Sequence, residues 1–348
     1  MKKIAYIEID THAEIAQSFM DIMEDSESFA VDYYFSKKIG NQVNKKNETV
    51  FLSDSSMILD QLKTKEYDLV VIGTVHRFFT TFLTIVQKYN AALIVHNLNF
   101  SKASKWDLFK SVFKGDVAYR LKLWVKEGLF NSSKVYETSK SLLVLDEALS
   151  SEKYRFLPLF YTRNFDKTEN DDKIVVIPGG VSQIRRDYNH IFETIQNLKT
   201  DKRYTFVCLG KAKDKELKKL KELSGKVPEN IRIVYFSERV SSGDFEKWMQ
   251  DADVLWCPIR EETEFFSMKE VYGMTKMTGN TGDAVTYGKW AVFPAGYSTK
   301  LDFIVPEKED ILEQIEQLSA AYFDFQKYYS KKEILKKTEQ ILSRSISI

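Results

Sequence analysis

Ile174-Val175-Val176-Ile177-Pro178-Gly179-Gly180-Val181-Ser182-Gln183-Ile184-Arg185-Arg186-Asp187-Tyr188 reads as a buried strand, a glycine turn and the approach to a helix. Four consecutive β-branched residues favour a strand, and proline followed by two glycines ends it abruptly. Gly179 and Gly180 let a backbone come close to a ligand, and Arg185 and Arg186 offer forked donors to a diphosphate. The plainer alternative is a flexible turn with solvated arginines.

The same alternation runs outward in both directions. Strands are expected at 4–9, 30–35, 69–73, 91–96 and 142–145 in the first half, with a further short one at 50–51. A second series follows at 174–177, 204–209, 231–236, 254–257 and 291–294. Helical periods lie between them, at 14–23, 188–198, 213–223, 242–251 and 282–287, which is the pattern of βαβ units and parallel sheets. Asp10 or Thr11 is the expected cap of the first helix. The polar stretch 163–172 carries no period and marks a boundary. The expected domains are therefore 1–162 and 173–325, with a helical tail over 326–348 that continues an apolar period starting after Lys308.

Composition fits this reading. The 348 residues are 43% hydrophobic, 14% aromatic and 29% charged, enough apolar content for two cores and too much for a disordered chain. The formal net charge of +1 gives no global field for nucleic acid. Cys208 and Cys257 lie in apolar runs and are expected as buried thiols of a reduced, cytoplasmic protein. Acidic Glu8 and Asp10 interrupt what would be the apolar core of a leader peptide, and no run reaches the ~20 apolar residues of a membrane span.

Other strand ends add candidates. Gly210-Lys211 places a glycine beside a positive charge, and Glu238-Arg239 follows the strand at 231–236. Tyr272-Gly273-Met274-Thr275-Lys276-Met277-Thr278-Gly279-Asn280-Thr281-Gly282-Asp283-Ala284 sets glycines, hydroxyls and a lysine just before a helix. A helix start presents unpaired N–H groups to a phosphate, although the spacing is not that of a P-loop.

In this order the segments resemble the donor-binding domain of GT-B glycosyltransferases, and of the retaining family four in particular. That family's Gly-Arg stretch corresponds to Gly180 and Arg186, and part of its Phe-x-Gly-x-Val to Phe236 and Val240. Its Ala-Asp-Val strand matches Ala252-Asp253-Val254, ending at Pro258, and its Glu-Ala-Met-Ala-x-Gly run aligns with Asp283 through Gly288. The family's Glu-x7-Glu pair falls on Thr275 and Asp283, so the first acid is missing and the second is shortened. The resemblance implies two Rossmann-like doubly wound domains facing across a cleft, with the last helix returning to the first domain. It also implies a nucleotide-sugar as substrate, with no metal or other cofactor. The donor set it implies is Gly179, Gly180, Arg185, Arg186, Lys211, Glu238, Arg239, Thr275, Lys276, Thr278, Gly279, Asn280, Thr281, Gly282 and Asp283. Asp251 and Asp253 form an Asp-x-Asp, but at a helix-to-strand junction where Asp253 is better placed to fix the turn.

Sugar transfer to a hydroxyl needs a base or an orienting group. Asp10, His12, His76 and His96 with Asn97 follow strands of the first half; Asp10, His12 and His96 are the catalytic candidates, with His76 more easily read as a turn residue. Over 102–126, lysines interleave with Trp106, Phe109, Phe113, Tyr119 and Trp124. That mixture suits a lipid-linked acceptor or an anionic membrane on the cell's inner face, or else an amphipathic helix burying its aromatics. Two rival functions stand beside the transferase: a nucleotide-sugar epimerase of the same fold, and a non-catalytic binding subunit.

Overall fold

A computed structural model describes residues 1–44, 48–114, 116–165 and 171–347. It divides into two compact units. The first comprises Met1–Phe160, Glu264–Met277 and Lys331–Ile348; the second comprises Tyr161–Thr263 and Thr278–Ser330. The first division therefore falls just before the polar stretch, whose residues 166–170 lie outside the described residues. The segment 264–277, which the sequence assigned to the second half, belongs to the first unit.

In the first unit the strands are β1 (Lys2–Glu8), β2 (Phe29–Phe35), β3 (Val50–Leu52), β4 (Leu69–Ile72), β5 (Ala91–Ile94), β6 (Ser141–Val144) and β7 (Tyr154–Phe156). They form one parallel sheet in the order β3-β2-β1-β4-β5-β6-β7. β4, β5 and β6 are buried at every position, as strands covered on both faces should be. The chain runs outward from β1 to β3 and then returns to β4 on the other side of β1. The switch point of the sheet is thus between β1 and β4, where such sheets open a ligand crevice.

The second unit repeats the plan. β8 (Lys173–Pro178), β9 (Tyr204–Lys211), β10 (Ile231–Phe236), β11 (Val254–Trp256), β14 (Ala291–Phe293) and β15 (Ile304–Pro306) form a parallel sheet ordered β10-β9-β8-β11-β14-β15, with its switch point between β8 and β11. Its core gathers Val175, Ile177, Phe206, Cys208, Trp256 and Ile315 among others. Cys208 and Cys257 are both buried and free.

The structure corrects several expectations. A hairpin of β12 (Glu262–Phe265) and β13 (Met268–Val271) was not foreseen, because its turn is Phe266-Ser267 rather than a glycine or asparagine pair. Both turn residues take left-handed backbones, φ 49 and 59, as a two-residue hairpin of the primed type requires. β7 and β15 were also missed; each is only three residues long. The helical tail is made of three helices, Ile311–Ala320, Phe325–Tyr329 and Lys331–Ile346, so the last helix expected over 326–348 is interrupted at Ser330. The first two belong to the second unit, and the last lays Ile334, Thr338, Leu342 and Ser345 into the first. There Thr338 donates to the carbonyl of Pro158, and Ser345 meets Ser141.

Candidate functional site

The switch point of the first unit is where β1 hands over to the helix Ala13–Met23. The cap of that helix is neither Asp10 nor Thr11 but His12, held at φ 64 and ψ 45 with no side-chain capping bond. Glu8 explains the departure. Its carboxylate is fully buried and accepts N–H bonds from Asp10 (3.2 Å) and Thr11 (3.1 Å) and the hydroxyl of Thr74 (2.6 Å). The turn is wrapped around this carboxylate, so Asp10 and Thr11 donate backward instead of capping forward. Burial pushes the Glu8 pKa up to about 7, against the lowering effect of those bonds.

His12 donates from Nδ1 to Glu14 Oε1 at 2.8 Å, which leaves Nε2 as its free ring atom. Burial works to keep His12 neutral, but the bond and charge of Glu14, with Glu8 behind it, outweigh this and raise its pKa. His96 lies flat against His12, with ring centroids 4.2 Å apart and planes 14° apart. It donates from Nε2 to the carbonyl of Gly73 (2.8 Å), just after β4. His76 completes the group at 5.8 Å from His12 and 5.6 Å from His96. Burial, reinforced by the charge of His12, holds both His96 and His76 well below the usual histidine range. His12 is therefore the one member of the trio poised to gain and lose a proton.

Asp10 is buried, with Arg77 Nη1 3.8 Å from its carboxylate. Burial raises its pKa while Arg77 and Lys38 oppose the rise. Arg77 is in turn clamped by Glu127 through Nε (3.0 Å) and Nη2 (2.5 Å). A fixed cation therefore stands beside Asp10.

The segment 264–277 supplies the rest of this cluster. Phe265 packs on His76 at 4.4 Å and on Phe100 at 4.9 Å. Glu270, fully buried, accepts the N–H groups of Phe100 (2.9 Å) and Asn99 (3.3 Å) at the start of the short helix Leu98–Ser101. The N–H of Leu98 donates to the Thr275 carbonyl at 2.9 Å. Lys276, so anchored, donates to Asn97 Oδ1 at 2.6 Å, and Asn97 Nδ2 donates to His76 Nε2 at 3.1 Å. Thr275 and Lys276, expected among the donor-binding residues, are thus grouped with the histidines of the first unit.

In the second unit Gly179, Gly180, Arg186, Asn280 and Asp283, which are among the expected donor residues, come together at the other switch point. Gly179 sits at φ 102 with the Arg186 guanidinium where a Cβ would be, so glycine is required twice over. Gly210 packs directly on the Gly179 backbone, drawing the ends of β8 and β9 together. Arg186 Nη2 donates to Asn280 Oδ1 (3.3 Å), and Asn280 Nδ2 reaches both the Pro178 carbonyl (3.3 Å) and Asp283 (3.2 Å). Arg186 Nε is buried with no hydrogen-bond partner. The turn is tied to the end of β11 by Asp187 N–H on the Pro258 carbonyl and Arg260 N–H on the Arg185 carbonyl.

Thr278 caps the helix Gly279–Tyr287, which begins three residues before the expected start at Gly282. Gly279, Thr281 and Gly282 form its first turn, with Thr281 bonded to the Thr278 carbonyl. Lys211 and Glu238 pair with each other at 2.7 Å. Arg239 follows β10 at an exposed position.

Asp253 accepts the N–H of Ile174 at the opposite, amino end of β8, so the Asp-x-Asp lies away from the strand ends where ligands bind. Among the described residues no group of three or more His, Cys, Asp or Glu is arranged to hold a metal ion.

Sequence reading named Asn97 beside His96 and favoured a turn role for His76, but missed Glu8, Glu14 and Thr74. The available signal was Glu14 two residues beyond His12; the other two are brought in only by strand order.

The sequence matches no protein-family model and no curated protein. Solved structures align with the whole chain. The apo form of the lipopolysaccharide outer core galactosyltransferase WaaB gives a TM-score of 0.55 at 9% identity, covering 98% of this chain and 99% of that one. The UDP-GlcNAc 2-epimerase from Neisseria meningitidis, bound to UDP-GlcNAc, gives 0.54 at 12% identity over 98% and 100%. The N-terminal domain of Candida albicans trehalose-6-phosphate phosphatase gives 0.52 at 9% over 99% and 93%. At such identities the likeness is one of fold. With two parallel sheets of the same strand order, this chain has the GT-B fold.

Proposed function

We propose that the protein is a glycosyltransferase that moves a sugar from a nucleoside-diphosphate donor to a hydroxyl acceptor. The observation that carries this reading is the His12–Glu14 pair at the switch point of the first unit. An imidazole with a carboxylate on Nδ1 and a free Nε2 is built to take a proton from a hydroxyl, and the carboxylate stabilises the imidazolium that results. His96, kept neutral and stacked on His12, fixes the ring plane. Asp10, beside Arg77, is placed to orient the acceptor.

In the second unit Gly179, Gly180, Arg185, Arg186 and the start of the helix at Thr278–Asp283 would cradle the diphosphate. The unpartnered Arg186 Nε supports that role. Lys211, Glu238 and Arg239 would meet the nucleoside. Thr275 and Lys276, grouped with the histidines, would serve the acceptor side, where Lys276 adds a positive charge near the reacting groups.

Epimerisation is the second reading, because Glu8, Asp10, His12 and Glu14 provide more acid–base groups within one turn than a transfer needs. One experiment separates the readings. The full chain is incubated with a panel of nucleoside-diphosphate sugars, with and without simple glycoside acceptors, and free nucleotide and sugar configuration are followed. Nucleotide release that increases with acceptor is expected. Recovery of the intact donor as an epimer would replace the transferase by the epimerase, and no turnover of any donor would leave a binding protein.

A further inference from the structure

Normal packing turns the apolar side of a surface helix inward, and the region 105–127 departs from that rule. Two helices, Lys105–Val112 and Val117–Glu127, follow each other there, capped by Ser104 and Asp116. Residue 115 between them lies outside the described residues. The second helix buries Leu123 and, unusually, Glu127, which its ion pair with Arg77 satisfies. Val117, Leu121 and Val125, spaced by four, form an apolar stripe on the exposed side instead, with Val125 76% exposed.

On the first helix Leu108 and Val112 go inward, while Trp106 and, just past its end, Phe113 stand out at 61% and 58% exposure. The aromatics are therefore divided. Trp124 packs on the core, and Phe109 links it to Trp106 by a stacked contact at 5.5 Å. Contiguous exposed apolar side chains of this size mark an interaction surface.

Charge identifies what would cover it. Lys105 and Lys110 on the first helix, Lys114 just past it, and Lys122 and Lys126 on the second are all exposed. Residues 102–126 hold seven Lys and Arg against two Asp, a local excess of five positive charges in a chain whose total is +1. Both acids in the stretch, Asp107 and Asp116, are engaged as helix caps. A second copy of this chain would bring a like-charged face to the same place. An anionic bilayer supplies both a negative surface and an apolar layer for the protruding side chains, at the depth an interfacial helix reaches.

We propose that this face docks the protein on anionic lipid, with Trp106, Phe113, Val117, Leu121 and Val125 entering the interface and the five lysines meeting the headgroups. The inference goes beyond the transferase reading and does not require it. It has a bearing on it, because the docked helix ends at Glu127, whose partner Arg77 stands beside Asp10.

The test is co-sedimentation of the full chain with vesicles of phosphatidylcholine alone, or of phosphatidylcholine mixed with phosphatidylglycerol, at low and high salt. Binding to the anionic vesicles only, weakening as salt screens it, is expected. Each lysine near the surface contributes about fivefold to partitioning, so Lys105→Glu, Lys110→Glu and Lys114→Glu together should weaken it by a hundred-fold or more. Val125→Asp is a second, independent variant. Both changes are on exposed side chains, and circular dichroism checks that the fold survives. Brominated lipid should quench fluorescence of the wild type and not of Trp106→Phe.

Equal binding to both vesicle types, or to neither, overturns the proposal. So does wild-type binding by both variants, or quenching that persists in Trp106→Phe. Dimerisation in solution that Val125→Asp abolishes, without any vesicle binding, would assign the face to a second copy.

Discussion

His12 holds a left-handed backbone that side chains larger than asparagine adopt with some strain, and the buried Glu8 carboxylate keeps it there. The two acids around it make different predictions. Glu14 raises the His12 pKa, and a general base works in its neutral form, so Glu14→Gln should move the acid limb of the kcat/KM profile to lower pH and reduce the plateau. An unshifted limb would remove His12 from the mechanism. Glu8 acts on stability. Its folded pKa is raised from 4.5 to about 7, so its contribution is fully present below pH 4.5 and is lost as pH rises through 7. Glu8→Gln should therefore gain on the wild type between pH 4.5 and 8, by roughly 3 kcal/mol at about 1.4 per pH unit. Urea unfolding midpoints at the two pH values test this; a difference that does not change with pH would place the Glu8 pKa near its ordinary value.

At the scale of elements, the segment 264–277 is the one that rearranges the site. Its anchor is Glu270, whose two N–H bonds at the helix Leu98–Ser101 have no replacement in an alanine variant. Glu270→Ala should cost about 1–3 kcal/mol. It should also speed amide exchange in 264–277 and at Leu98, while the strands β4 and β5 stay protected. Uniform loss of protection instead would mean that the segment holds the whole first core.

In the second unit, Arg186→Ala should lower nucleotide affinity roughly ten- to a hundred-fold, as loss of one charge-assisted contact does. Calorimetry with nucleoside diphosphates reads this directly, and unchanged affinity would move the cradle elsewhere. The clustering of Gly179, Arg186, Asn280 and Asp283 was legible beforehand as a set of residue types that follow strands, while their proposed role as a cradle awaits that measurement. Lys276 was not placed, because nothing local says that the chain between β11 and the helix Gly279–Tyr287 first visits the other sheet. The histidine trio was half legible for the same reason. His12 and His96 follow β1 and β5, far apart in sequence, and only the sheet order β1-β4-β5 brings those ends together on either side of β4, which His76 follows.

For the molecule as a whole, both sheets follow from alternating buried runs and helical periods, which a sequence displays openly. The allocation of segments between units does not, since it depends on contacts across more than a hundred residues. Donor binding through arginines, backbone N–H groups and a helix start asks for no acidic pair, and Asp253 is occupied at the far end of β8. Transfer should accordingly persist in EDTA. Complete loss, restored by magnesium or manganese, would show that a metal bridges donor and protein.

The chain passes between the two units four times, after residues 160, 263, 277 and 330. Synthesis runs in one direction, so the sheet begun first is among the last to be finished. β1 to β7 are out of the ribosome early. They then wait for Phe265 to cover His76, and for Ile334, Thr338 and Leu342 to close the apolar surface beneath β4. The second unit, encoded later, needs nothing beyond residue 330. A chain cut short after residue 330 and released would therefore carry a finished second sheet and an open first one, which is the state in which chaperones or proteases would meet it.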